Sequence, residues 1–264
     1  MESRNPVFNR SEGFSRGGNA TFRDVPTPTP GSLEEMYRRP SAGPVQTGRM
    51  TIDDAVMKTL ACFGVLLVGA AFAWFVAPGL AFVGMIVGLV LGLVISFKQS
   101  TNPALILSYA AAEGLFVGGI SAVFNDQWPG IVSQAVIGTL AAFGAMLALY
   151  KTKVLRATPK FMKVLTIAGL AYFGVALASL VGALFGVGDG WGFYGIGGLG
   201  VLLCVAGVAL AAFFLVLDFD FVEQGVRNGL PERYSWLAAF GLMATVVWLY
   251  VELLRLLAIL RGND

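Results

Sequence analysis

From residue 51 onward the chain alternates long apolar blocks with short polar breaks, and the blocks are long enough to cross a bilayer. A membrane-spanning helix needs about 20 predominantly apolar residues. Seven stretches meet that length: 55–77, 79–97, 103–124, 131–150, 161–186, 197–217 and 235–260. The breaks carry turn chemistry, with "APG" at 77–79, "KQSTNP" at 98–103, "NDQWPG" at 125–130 and "GVGDGWGFYG" at 186–195. The first break is so tight that spans one and two are expected to be an antiparallel pair. Residues 1–54 read differently. Ser, Gly, Pro, Asn and mixed charges dominate, with "TPTPGS" at 27–32 and "RRPSAGP" at 38–44. Such a segment buries too little apolar surface to offset its ordering entropy, so a disordered tail is expected there, followed by a seven-helix domain over 55–264. No basic start followed by an apolar core marks a signal peptide.

Basic residues orient the spans. The first 50 residues hold seven arginines, and Lys58 follows at the foot of span one. Lys98 follows span two, Lys151, Lys153, Arg156, Lys160 and Lys163 surround the fourth connection, and Arg227 and Arg233 lie in the sixth. The first, third and fifth connections contain no Lys or Arg. Lys and Arg accumulate on the cytoplasmic side, so the pattern predicts an all-α, seven-span protein of the cell (plasma or inner) membrane with its N-terminus in the cytoplasm. Trp128 and Trp191 fall in outer connections, where interfacial aromatics are expected. In span two, Gly84, Gly88 and Gly92 form a four-residue repeat, read as a surface for close helix packing.

Composition narrows the chemistry. The chain has 264 residues, 56% hydrophobic and 13% charged, and its mean hydropathy is +0.75. A soluble domain carries about 25% charged residues. The net charge of +2 is too small, and its basic residues too scattered, to suggest nucleic acid. There is no histidine, which removes His-dependent catalysis and the HExxH zinc site. Cys62 and Cys204 both lie in apolar stretches and read as small buried residues. No nucleophile–base pair or metal constellation stands out. Neither a catalytic residue nor a bound cofactor is expected, and the chain does not read as an enzyme. Span seven holds no lysine for a retinal Schiff base.

What stands out is charge in the grease. Glu113, Glu252 and Arg255 lie well inside spans, and Asp218 and Asp220 sit at the cytoplasmic mouth of span six. A charge at the membrane centre costs about 2.5–3.5 kcal/mol or more, so such groups normally face the bundle interior with partners. At about 1.5 Å rise per residue, Glu113 lies about 15 Å into span three and Glu252 roughly 25 Å into span seven. Arg255 is one turn beyond Glu252 on the same face, so the two can pair within one helix. Either they form a self-neutralising structural pair, or Glu252 lines a polar path and exchanges partners with protons or cations. Glu113 has no charged neighbour on its own helix, which points to a wet cavity. Asp218 and Asp220 fall on different sides of a helix, so one of them is expected to point inward.

Three stretches carry a family resemblance: "LVLDFDFVEQGV", "VVWLYVELLRLLAIL" and "AAAEGLFVGGIS". Together they resemble the Bax inhibitor (transmembrane Bax inhibitor motif) family over residues 55–264, and the tail, with "NPVF" near its start, resembles the extension of bacterial members. The resemblance implies a bundle whose seventh helix is surrounded by the first six. It also implies a pH-sensitive calcium leak controlled by two facing acids that bind a proton. By position these are Asp218 (or Asp220) and Glu252, the latter in the place of a more usual aspartate. The 34 residues between Asp218 and Glu252 and the depths above set those acids far apart in straight helices, making Glu113 the nearer companion of Glu252. The expected function is a proton-gated calcium leak with Ca2+ and H+ as transported species and lipid as surroundings. The alternative is a non-conducting scaffold or stress regulator acting through other membrane proteins. Calcium suits the first because hard cations prefer oxygen ligands and protonation cancels the ligand charge.

Overall fold

The computed structural model describes residues 48–262; the expected tail, up to position 47, lies outside them. Seven helices follow in order: α1 Ile52–Phe75, α2 Ala81–Lys98, α3 Pro103–Gln127, α4 Ile131–Lys151, α5 Pro159–Leu184, α6 Gly197–Arg227 and α7 Tyr234–Gly262. All are long and apolar enough to cross a membrane, and the chain is a multi-pass membrane protein.

Local chemistry fixes the helix starts, which for α1 and α5 fall three and two residues before the apolar blocks. Thr51 and Asp54 form a reciprocal capping box, so α1 begins at Ile52. Asn102 and Thr158 cap α3 and α5, each followed by a proline in the first turn, where its missing N–H costs nothing. The tight first connection is the short 3-10 turn Pro78–Leu80. The largest departure is α6, which runs through Arg227 instead of stopping near 217. Apolarity ends at Asp218, but "DFDFVEQGVR" contains no helix breaker before its final turn. The helix of 31 residues is therefore about 46 Å long and projects past the hydrocarbon core. Asp218 and Asp220 consequently sit inside a helix and not at its end.

Helix α7 is the axis of the bundle. Of its most apolar window 72% is buried, against 17–44% for the other six. It packs against α1, α3, α4 and α6, while α2 packs chiefly on α3, and α5 on α6 and the turns that precede it. The first six helices thus surround α7 unequally. Tyr109 of α3 meets Phe240 of α7 edge-on at 4.8 Å, and Ser121 shares a hydrogen bond with Tyr250 at 2.6 Å.

Small residues bring α1, α2 and α3 together. A Cβ on Gly84 would lie 2.6 Å from the Ala112 carbonyl oxygen, and the rest of the α2 stripe also faces α3. On the other side of α3, a Cβ on Gly118 would lie 2.1 Å from the Ala70 carbonyl oxygen of α1. Bilayer helices have little hydrophobic drive to associate, so this backbone proximity is what holds them.

At the Lys- and Arg-bearing end, the chain before α1 straps across the α6–α7 connection. The Met50 amide donates to the Leu230 carbonyl at 2.7 Å, and the Glu232 amide donates to the Gly48 carbonyl at 2.9 Å. Lys58 pairs with Glu232 at 2.8 Å, and Met50 is buried between Ala55 and Ala238.

Gly118→Ala is expected to lower the stability of the purified protein by about 1–3 kcal/mol through overpacking against Ala70. Gly64→Ala, at a position with open space around it, should be near neutral. Thermal unfolding in one detergent compares the two; equal stability would refute the close α1–α3 contact.

Candidate functional site

The charged groups inside the bundle lie mostly along one seam, between the antiparallel helices α6 and α7. A Cβ placed on Gly207 of α6 would meet the Glu252 carboxyl, 2.7 Å from its Cδ and 2.8 Å from Oε2. A Cβ on Gly241 of α7 would lie 3.0 Å from Asp218 Oδ1. Each acid therefore occupies the gap left by a glycine on the facing helix. Gly207 and Asp218 are eleven residues apart on α6, as are Gly241 and Glu252 on α7. At 1.5 Å per residue the two carboxyl groups stand on levels roughly 16 Å apart. The facing pair implied by the family resemblance is not formed here. With this register, bringing the acids together would require one helix to slide past the other by about three turns.

Glu252 is 3% exposed. Both of its oxygens accept from Arg255 Nη1 at 3.3 Å, and Trp248 Nε1 donates to Oε1 at 3.3 Å. The Tyr172 hydroxyl of α5 lies beside the same carboxyl, reached through the gap at Gly207. Tyr194, in the turns before α6, donates to the Tyr172 hydroxyl at 2.9 Å, and the Arg255 guanidinium sits 4.1 Å above the Tyr194 ring. A buried carboxylate loses hydration worth several kcal/mol, and it is tolerated only with an opposite charge and donors for its remaining lone pairs. Arg255, Trp248 and Tyr172 supply these.

Asp218 has fewer partners. Thr245 of α7 lies alongside it, but its buried Oδ2 has no hydrogen-bond partner among the described residues. Asp220 turns toward α4 instead, accepting from Tyr150 at 3.5 Å and from Gln224 on its own helix. Of the two aspartates, Asp218 thus faces α7. Glu113 is half-buried against Gly88 of the α2 stripe, with Tyr109 beside it. The parallel α3–α7 register, read from Tyr109 against Phe240, puts Glu113 level with Ala244. It stands near the depth of Asp218, on another flank of the bundle, and is not a companion of Glu252.

Sequence reasoning weighed only charges and missed Tyr172, Tyr194 and Trp248. Trp248 was within reach, since it precedes Glu252 by four residues and so shares its face. Tyr172 and Tyr194 reach Glu252 from α5 and a turn, and no spacing within α7 announces them. Cys62 and Cys204 are both free and buried. Among the described residues no group of three or more His, Cys, Asp or Glu could hold a metal ion.

A family model described as Bax inhibitor 1 like matches residues 5–262, nearly the whole chain. A search of curated proteins found no match.

Removing Arg255 alone should be costly because it strands a buried carboxylate. Arg255→Leu is expected to lose about 3–5 kcal/mol, and Glu252→Gln combined with Arg255→Leu should recover most of it. Unfolding of both variants in detergent checks this. Additive losses would mean that the pair is not a unit.

Proposed function

This chain belongs to the Bax inhibitor 1 like family, and on that footing we propose that it is a pH-sensitive calcium leak of the plasma (inner) membrane, gated by protonation of carboxylates within the bundle. The observation that carries this reading is the α6–α7 seam, where Asp218 has a buried oxygen unpartnered among the described residues and Arg255 is the cation paired with Glu252. Buried ionisable groups at membrane depth are expensive, and function is the usual reason for keeping them.

Two carboxylates on separate levels offer oxygen ligands in sequence, as passage requires, since binding at each step has to be weak enough for the ion to leave. The seam is closed with Glu252 ionised, because Arg255, Trp248 and Tyr172 draw its carboxyl into the gap at Gly207. Protonation weakens the bond that Tyr172 of α5 donates to the carboxylate at the Gly207 gap, and α7 is then less firmly fixed against its neighbours. Calcium entry therefore rises as pH falls through the titration of Glu252. No residue is assigned a catalytic role.

A second reading is favoured by one specific contact: the Glu252–Arg255 pair is complete within α7. In that reading the charges are structural, and the protein is a non-conducting scaffold or stress regulator that works through other membrane proteins.

Calcium and proton flux into liposomes separates the two. For the leak, wild type should admit calcium faster on acidification, Glu252→Gln should leak at every pH with a flattened profile, and Asp218→Asn should shift the profile. Glu113→Gln, off the seam, should change it least. Liposomes that stay tight at every pH, together with crosslinked membrane-protein partners, would establish the scaffold. A Glu252→Gln protein with the wild-type pH profile would remove Glu252 as the sensor.

A further inference from the structure

Beyond Arg255, toward the end of the bundle opposite the basic side, lies a cavity of about 220 Å³. Its walls include Trp128, Trp191, Tyr194, Ala258 and Ile259, and Arg255 is its charged member. The Arg255 side chain is 24% exposed, whereas that of its partner Glu252 is 4% exposed. Arg255 therefore connects a buried carboxylate on one side with an open chamber on the other.

The hydrogen bonding of Arg255 is one-sided. Both bonds to Glu252 come from Nη1. Nε and Nη2 have no hydrogen-bond acceptor among the described residues. The side chain is partly open, whereas Asp218 Oδ2 is buried with no partner among the described residues. Tyr194, whose ring lies under the guanidinium, holds the group in place, and the Tyr194 hydroxyl is itself held by Tyr172. An arginine offers five N–H donors in a fixed fork, and its free edge matches the two oxygens of a carboxylate or phosphate. The rest of the chamber is aromatic and aliphatic, which suits an apolar body.

We propose that this chamber is a binding site for an anionic oxygen group carried on an apolar body, received by the Nε–Nη2 edge of Arg255 between Trp128, Trp191 and Tyr194. The volume is below the roughly 300 Å³ at which drug-sized sites begin, so the ligand part that enters is small. Arg255 is seven residues from the end of α7, about 10 Å along the axis, a depth at which lipid headgroups meet their chains. The oxygens therefore come either from a soluble aromatic carboxylate or from the headgroup of an anionic lipid. Glu252 competes with the ligand for the same guanidinium, so removing its charge strengthens the site. The proposal does not depend on calcium conduction.

The test uses the purified full-length chain and benzoate as probe, read by calorimetry and by the fluorescence of the wall tryptophans. Wild type should bind benzoate. Arg255→Gln should weaken binding about ten-fold or more, as expected for loss of hydrogen bonds to a charged group. Glu252→Gln should tighten it several-fold, and Trp191→Ala should weaken it. The same titrations in phosphatidylglycerol and phosphatidylcholine nanodiscs identify the source. Competition by phosphatidylglycerol assigns the site to a lipid headgroup, and no competition assigns it to a soluble anion; both outcomes uphold the site. Absence of benzoate binding together with no effect of phosphatidylglycerol on the protein would overturn it, as would equal affinities in wild type and Arg255→Gln. Should Arg255→Gln fail to fold, Glu252→Gln and Trp191→Ala decide, and unchanged affinity in both overturns the proposal. Binding is read at equilibrium without transport, so its failure is distinct from failure of the leak.

Discussion

Everything in this bundle is arranged around the cost of an ionised group where water is scarce. Helix α7 is the most buried element and carries both Glu252 and Arg255. A lone charge there would be unaffordable, and even a pair needs its remaining hydrogen-bonding positions filled. The neighbouring helices supply those partners through small residues. Gly207 lets the Glu252 carboxyl lie against α6 and meet Tyr172, and Gly241 lets Asp218 lie against α7. The glycine content of the chain is thus tied to its charges as well as to helix packing. Where backbone comes close, as at Gly118 and Ala70, small residues serve helix contact; where a carboxyl fills the gap, they make room for polarity.

Much of this was legible in the sequence, because the bilayer imposes strong rules. Span number follows from the length of apolar blocks. The end of α6 was not legible from apolarity, which stops at Asp218 while helix propensity continues to Arg227. The i, i+3 relation made the Glu252–Arg255 contact foreseeable as one of two options, and 3.6-residue geometry foretold that Asp218 and Asp220 would diverge. Relations between helices were harder. That Tyr172 meets Glu252, or that Glu113 sits in the Gly84–Gly92 stripe, depends on the rotation of one helix against another, which no single-helix pattern encodes.

The antiparallel register of α6 and α7 also separates this chain from the simple expectation for its family. A facing pair of acids would titrate as one unit and share a proton. Two carboxyl groups about 16 Å apart act as independent groups with different surroundings. One is clamped by an arginine and aromatic donors; the other has the Thr245 hydroxyl beside it and, among the described residues, an unpartnered oxygen. Glu252, one methylene longer than aspartate, reaches across to α6 while still meeting Arg255 on its own helix.

The most buried helix is also the last of the seven in the chain. During biosynthesis α1 to α6 leave the ribosome before the element that fills their centre, so the small-residue contacts among α1, α2 and α3 are the ones available first. The strap of residues 48–50 waits longer still, since its partners at 230–232 immediately precede α7. The centre of the bundle and the anchorage of the amino-terminal strap therefore both depend on the last stretch of chain to be made, residues 230–262.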